Sequence, residues 1–141
     1  MVTVFDTSAI VAAHAQSHPQ FAWVDAQLQE ATSPALCAHS LAESYAVLTA
    51  HPQLRYSPVQ VQAVLQRLLE TWVVLPLIQD DYLQAIERCR KLSLPGGAIY
   101  DTLIAQAALR AQAQTLVTLN DKHFRRLGPE VAQLLVSPPS S

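Results

Sequence analysis

The chain has 141 residues, enough for one domain with a real hydrophobic core. Half of the residues are hydrophobic and 14% are charged, well below the roughly 25% usual in soluble domains, so either surface is covered by a partner or Ala and Gln fill it. The net charge of −2 gives no electrostatic footprint for nucleic acid, but it excludes none, because a bound metal reverses the sign of a pocket.

Residues 2–5, Val-Thr-Val-Phe, read as a short buried strand. Thr7 or Ser8 is placed to cap an Ala-rich helix near 7–15, and Pro19 opens a second helix to about Ala31. A second strand covers 34–38. Ser40 caps a helix to about Ala50, which His51-Pro52 ends. Ser57-Pro58 opens another, in which Val61, Val64, Leu65, Leu68 and Leu69 recur at helical spacing. Residues 72–76 read as the third strand and 79–92 as a helix, before Leu94-Pro95-Gly96-Gly97 breaks the chain. An Ala-rich helix over 98–112, a fourth strand at 115–118, a short helix at 121–127 and a final strand at 131–136 complete the pattern.

Short apolar strands alternating with helices imply an α/β fold: a three-layer α/β/α sandwich on a short, mainly parallel sheet. Residues 1–136 form a single domain, with 137–141, Ser-Pro-Pro-Ser-Ser, as a frayed tail. Nothing reads as an internal repeat or a second domain. No apolar run approaches about 18 residues, so no membrane span is expected. The N-terminus lacks the basic region of a signal peptide. Cys37 and Cys89 are far apart without a CxxC, as for reduced thiols of a cytoplasmic protein. The helices near 19–31 and 58–71 carry apolar stripes that one small core leaves uncovered, so self-association is expected.

The chemistry lies in the acids. Asp6, Glu43, Asp101 and Asp121 interrupt apolar stretches, whereas Glu30, Glu70, Asp80, Asp81 and Glu87 flank polar or element-end positions and read as solvated. An isolated carboxylate in apolar surroundings is costly unless paired or metal-bound, and few Lys or Arg lie nearby in sequence. Ligands of parallel sheets bind outside the carboxyl ends of the strands, where these four acids can converge. Oxygen donors of this kind suit Mg²⁺ or Mn²⁺. Two such ions can clamp the attacking and leaving oxygens of a phosphodiester. Thr7, Ser8, Thr118 and Asn120 are neutral groups able to hold the carboxylates or waters in place.

Val4-Phe5-Asp6-Thr7-Ser8, Ala42-Glu43, Gly97-x-x-Tyr100-Asp101-x-Leu103-Ile104-Ala105 and Thr118-x-Asn120-x-x-His123-Phe124, in that order, resemble a PIN domain, and more narrowly the VapC-type ribonuclease toxins of toxin–antitoxin pairs. The Gly-Gly-Ala-Ile-Tyr-Asp segment is the most specific part. The resemblance implies a Mg²⁺- or Mn²⁺-dependent endoribonuclease, a homodimer inhibited by a small antitoxin protein, with RNA as substrate. Asp6, Glu43 and Asp101 fall on the family's acidic metal-site positions and take the catalytic role. A fourth family acid often stands at the position of Asn120 or of His123; here Asp121 is one residue out of register, so Asn120 and Asp121 are both candidates for the metal set.

Plainer roles compete. Asp6 and Asp101 can be helix-capping residues, Glu43 a solvated residue near a helix start, Asn120 a cap, and Asp121 a first-turn acid. His14 and His18, or Cys37 and His39 on one strand face, find no third ligand for zinc. His123, among Lys122, Arg125 and Arg126, reads as a phosphate contact or a solvated residue, and Arg88, Arg90 and Lys91 as a solvated helix end. The main alternative is a PIN-like module with impaired catalysis that only binds RNA or antitoxin. A phosphatase with an aspartate nucleophile fits poorly, because Ser8 replaces the second acid of its Asp-x-Asp.

Overall fold

The computed structural model describes residues 1–140. Five strands, β1 (Val2–Phe5), β2 (Ser33–Cys37), β3 (Val73–Leu75), β4 (Thr115–Val117) and β5 (Leu135–Val136), form one sheet in the order β3-β2-β1-β4-β5. Every pairing is parallel. The helices are α1 (Thr7–Ala13), α2 (Phe21–Glu30), α3 (His39–Ala50), α4 (Pro58–Leu68), α5 (Gln79–Leu92), α6 (Ala98–Arg110), α7 (Asp121–Arg125) and α8 (Pro129–Ala132).

The period of two along a strand divides the core. Val4, Ala35, Cys37 and Leu116 face one cluster with Ile104, Ala105 and Ala108 of α6, Phe124 of α7 and Leu127. Their neighbours Phe5, Leu36 and Val117 face the other, with Ile10 of α1, Val24 of α2 and Leu68 of α4. The central strands β1, β2 and β4 are thus buried on both faces at their carboxyl ends, as a parallel sheet requires, and the expected three-layer sandwich is what forms.

The element boundaries depart from the sequence expectation in two informative places and keep to it in a third. Residues 131–136 are not one strand: Pro129 at the first helical position starts α8, leaving two residues for β5. Ser40 does not cap α3, which begins after Ala38 without a side-chain cap. Ser57 does cap α4, in a reciprocal capping box with Gln60.

Asp81 is not solvated. Its side chain is 1% exposed; Oδ2 accepts the Ile78 N–H at 2.9 Å and pairs with Arg110 at 2.8 Å. It therefore caps the start of α5 while tying that helix to the end of α6. Arg88 is likewise engaged, donating to the Leu127 carbonyl at 2.7 Å and pairing with Glu130, while Arg90 pairs with Glu87 on the surface. Both cysteines are free and buried. Residues 137–140 have no regular structure; Ser137 donates to Asp121, and residue 141 of the expected tail lies outside the described residues. Among the described residues no helix is long and apolar enough to cross a membrane.

Candidate active site

Strand order reverses at β1, which has β2 on one side and β4 on the other. The crevice at such a switch point is where open α/β sheets bind ligands. Asp6 follows β1 directly and occupies the N-cap of α1, accepting the Ala9 N–H at 2.9 Å. Neither Thr7 nor Ser8 is the cap. Their hydroxyls hold carboxylates instead: Ser8 donates to Asp6 Oδ1 at 2.7 Å and Thr7 to Glu43 Oε1 at 3.0 Å. Thr118, just past β4, donates to Asp6 Oδ2 at 2.6 Å. Backbone N–H groups of Leu119 and Asn120 donate in turn to Ser8 and Thr118 at 3.1 and 2.9 Å. The loop after β4 is thereby locked onto the loop after β1, fixing the Asp6 rotamer.

Asp6 is 2% exposed, and among the described residues it has no Lys, Arg or His partner. Burial pushes its carboxyl up to about 6, against the opposing pull of the bonds from Thr118, Ser8 and Ala9; the charge of Asp101 adds to the rise. Asp101 lies in the first turn of α6 and makes no capping bond to the backbone there. Burial also raises its carboxyl above the usual range, offset by His123 and Arg126, whose nitrogens lie 3.7 and 4.0 Å from Oδ2. Asp6, Glu43, Asp101 and Asn120 line one cavity of about 690 Å³. A second groove, about 520 Å³ between α5 and the α7–α8 segment, holds none of them.

Asp121 does not join the others. Arg125 grips both its oxygens at 2.8 and 2.9 Å and holds its carboxyl below the usual range, with Ser137 on the same side chain. Asn120 occupies the N-cap position of α7 but makes no side-chain capping bond. His39 stands on α3 rather than on a strand, and its ring stacks on Tyr100 with centroids 5.2 Å apart and an interplanar angle of 1°. That stack joins the helix of Glu43 to the helix of Asp101. It went unread in the sequence because nothing local to either residue signals a contact sixty positions away.

The donors present are carboxylates, an amide and hydroxyls, an oxygen-only set of the kind hard divalent cations take. Among the described residues, no three His, Cys, Asp or Glu side chains stand together as a ready-made cage. Mg²⁺ needs none, since it keeps several waters and is usually held by one or two carboxylates with substrate phosphate. A buried carboxylate without a cation, sharing a cavity with two more, fits such an ion.

An acid-lined crevice at the switch point of a doubly covered parallel sheet defines a class, and the comparisons with known proteins agree on it. Residues 3–129 match the PIN domain, and the chain belongs to that family. Within it, the chain is similar to Ribonuclease VapC27 of Mycobacterium tuberculosis (strain ATCC 25618 / H37Rv): 32% identical over 110 residues, covering 77% of this chain and 78% of the relative. The fold is shared with VapBC2 from Rickettsia felis bound to a DNA fragment from its promoter, at a TM-score of 0.71 and 22% identity, over 99% of this chain and all of that one. It is also shared with Mycobacterium tuberculosis VapC20, a sarcin-ricin loop cleaving toxin, at a TM-score of 0.68 and 17% identity, over 81% and 86% of the two chains. At those identities the solved structures bear on the fold alone.

Proposed function

We propose that the chain is a metal-dependent endoribonuclease that hydrolyses RNA phosphodiester bonds as the toxin of a toxin–antitoxin pair. The observation that carries this is the buried, cation-free Asp6 sharing one cavity with Glu43 and Asp101, in a chain 32% identical to a ribonuclease. Asp6, Glu43 and Asp101 hold Mg²⁺ or Mn²⁺, with Asn120 adding a neutral carbonyl oxygen. When bound, such an ion lowers the pKa of a water and neutralises charge on the phosphate. The chain's own part is placement. Thr118 and Ser8 hold Asp6 and Thr7 holds Glu43, so the carboxylates need little rearrangement. Arg126, beside Asp101, offers the phosphate oxygens a charged donor, with the His123 ring next to it.

The further partners belong to the same proposal. Tyr45, Val59 and Leu69 around α3 and α4, and Tyr82, Leu83 and Ile86 on α5, leave apolar surface in solvent, suited to a second copy of the chain and a small antitoxin. VapBC structures from Rickettsia felis and nontypeable Haemophilus influenzae share the fold, which supports the antitoxin. The cytoplasm, where RNA and reduced thiols are found, is the compartment that fits.

Purified protein incubated with RNA and Mn²⁺ or Mg²⁺ is expected to make internal cuts that EDTA abolishes. Binding without cutting under both ions would leave only the RNA-binding module, and cutting that survives EDTA would remove the metal from the reaction.

The fourth position gives a separate expectation. A site with three carboxylates leaves more cation charge uncompensated than one with four, so Asn120→Asp should tighten Mn²⁺ binding. Asp121→Ala should change it little, because that carboxylate is committed to Arg125. Calorimetric titration of the two variants beside the unsubstituted protein checks both, and a loss with Asp121→Ala as complete as with Asp6→Ala would make Asp121 the fourth ligand.

A further inference from the structure

The tripeptide His-Pro-Gln occurs twice, at 18–20 and 51–53, and the histidine and glutamine of both copies line the cavity that holds the acids. They arrive from different elements: the first follows α1, the second follows α3. In each, the backbone N–H of the glutamine donates to Nδ1 of the histidine two residues earlier, at 3.0 Å for His18 and 3.2 Å for His51. An Nδ1 that accepts a hydrogen bond leaves the ring proton on Nε2. The intervening proline fixes its own φ and stiffens the turn. The cavity is therefore flanked by two copies of one device, each holding an imidazole with Nε2–H as a donor that has no partner among the described residues.

We infer that these paired turns form the subsite for one unstacked RNA base flanking the scissile phosphate. The inference rests on the ribonuclease reading and adds to it the part of the site that reads sequence. Three observations favour a base over other parts of the substrate. His51 lies eight residues along α3 from Glu43, about 12 Å at the helical rise, so the turns stand off from the acids while sharing their cavity. No Lys or Arg lines that cavity, so away from the acids, where a metal would meet the scissile phosphate, nothing offsets the charge of a second phosphate. The lining combines apolar side chains, Val47 and Leu54 among them, with fixed imidazole donors and the two glutamine amides. A splayed base is held in this way, by its face against apolar groups and its edge on hydrogen bonds.

Asparagine separates a structural role from a recognition role. Its Oδ1 sits near the place of the imidazole Nδ1 and accepts the same backbone N–H, so His18→Asn with His51→Asn keeps both turns but removes both Nε2–H donors. Glutamine reaches further and returns an N–H near Nε2. The double asparagine variant and the matching double glutamine variant are compared with the unsubstituted protein on a randomised RNA, with cut sites mapped by sequencing. The asparagine variant is expected to lose base preference at a position flanking the cut, with KM for the preferred sequence raised about tenfold and kcat within about threefold. The glutamine variant is expected to recover part of the preference. Unchanged cut-site preference in a folded asparagine variant overturns the inference and leaves the cavity to a protein partner. If the unsubstituted protein cuts nothing, the ribonuclease reading fails on its own. The subsite is then decided by the affinity of a fluorescent RNA oligonucleotide in EDTA, where a drop in the asparagine variant upholds it and equal binding overturns it.

Discussion

Asp101→Asn is expected to lower RNA cleavage by at least about a hundredfold, the scale of removing one electrostatic group from a reacting centre, without unfolding the protein. The change is nearly isosteric, and Asp101 makes no capping bond that the amide would forfeit. Its carboxyl is pushed upward chiefly by burial, so its ionised form is disfavoured by the fold in the absence of metal. The contacts at 3.7 and 4.0 Å to His123 and Arg126 are long and partly exposed, and pairs of that kind contribute little. Thermal melts in EDTA should therefore show the variant as stable as the unsubstituted protein, or more so. A clear drop in melting temperature in EDTA, with cleavage retained in Mn²⁺, would reassign Asp101 to a structural role.

Stability of the metal-free protein is expected to fall as the pH rises from about 4 to about 6. Asp6 has an ordinary carboxyl value of 3.8 raised to about 6 in the fold. Between those values the unfolded chain has released a proton that the native chain keeps, so deprotonation favours unfolding. Above about pH 6 both states are ionised and the loss is constant. A displacement of that size corresponds to about 3 kcal/mol, and Asp101, also raised, acts in the same direction. Asp121 and Glu130, held low by Arg125 and Arg88, act oppositely and mainly below the window. Mn²⁺, if held by the ionised acids as proposed, should restore stability at neutral pH, as any ligand of the native state does. Urea melts across this range with EDTA or Mn²⁺ report both effects, with Asp6→Asn as the reference. A stability profile for the unsubstituted protein that parallels Asp6→Asn, in EDTA and in Mn²⁺ alike, would remove Asp6 as the group responsible.

The sheet and the gathering of Asp6, Glu43 and Asp101 were legible because both rest on local signals: apolar runs of strand length, and acids where apolar residues belong. What stayed hidden depends on partners distant in sequence. Asp81 looked solvated because it sits beside Asp80 at a helix start, yet Arg110, on another helix, pulls it into the interior. Asp121 resembled the fourth acid, but Arg125, one turn along α7, claims it. Asp6 is a helix cap that also lines the cavity. The two roles were weighed as alternatives, although one carboxylate has lone pairs enough for both. The misread end of the chain has a simpler cause. Apolar runs of six residues fit helix or strand equally well, and Pro129 decides the first half for helix.

The strand that carries Asp6 is made first and sits at the centre of the sheet, yet its neighbour β4 is made near the end. The Thr118 hydroxyl that fixes Asp6 is 112 residues away along the chain. A nascent polypeptide can thus hold all three of the acids and most of its helices while the crevice is still open on one side. Closure waits on the long-range pairing of β1 with β4, the slow kind of step in folding, so the crevice is completed only after most of the chain has been made.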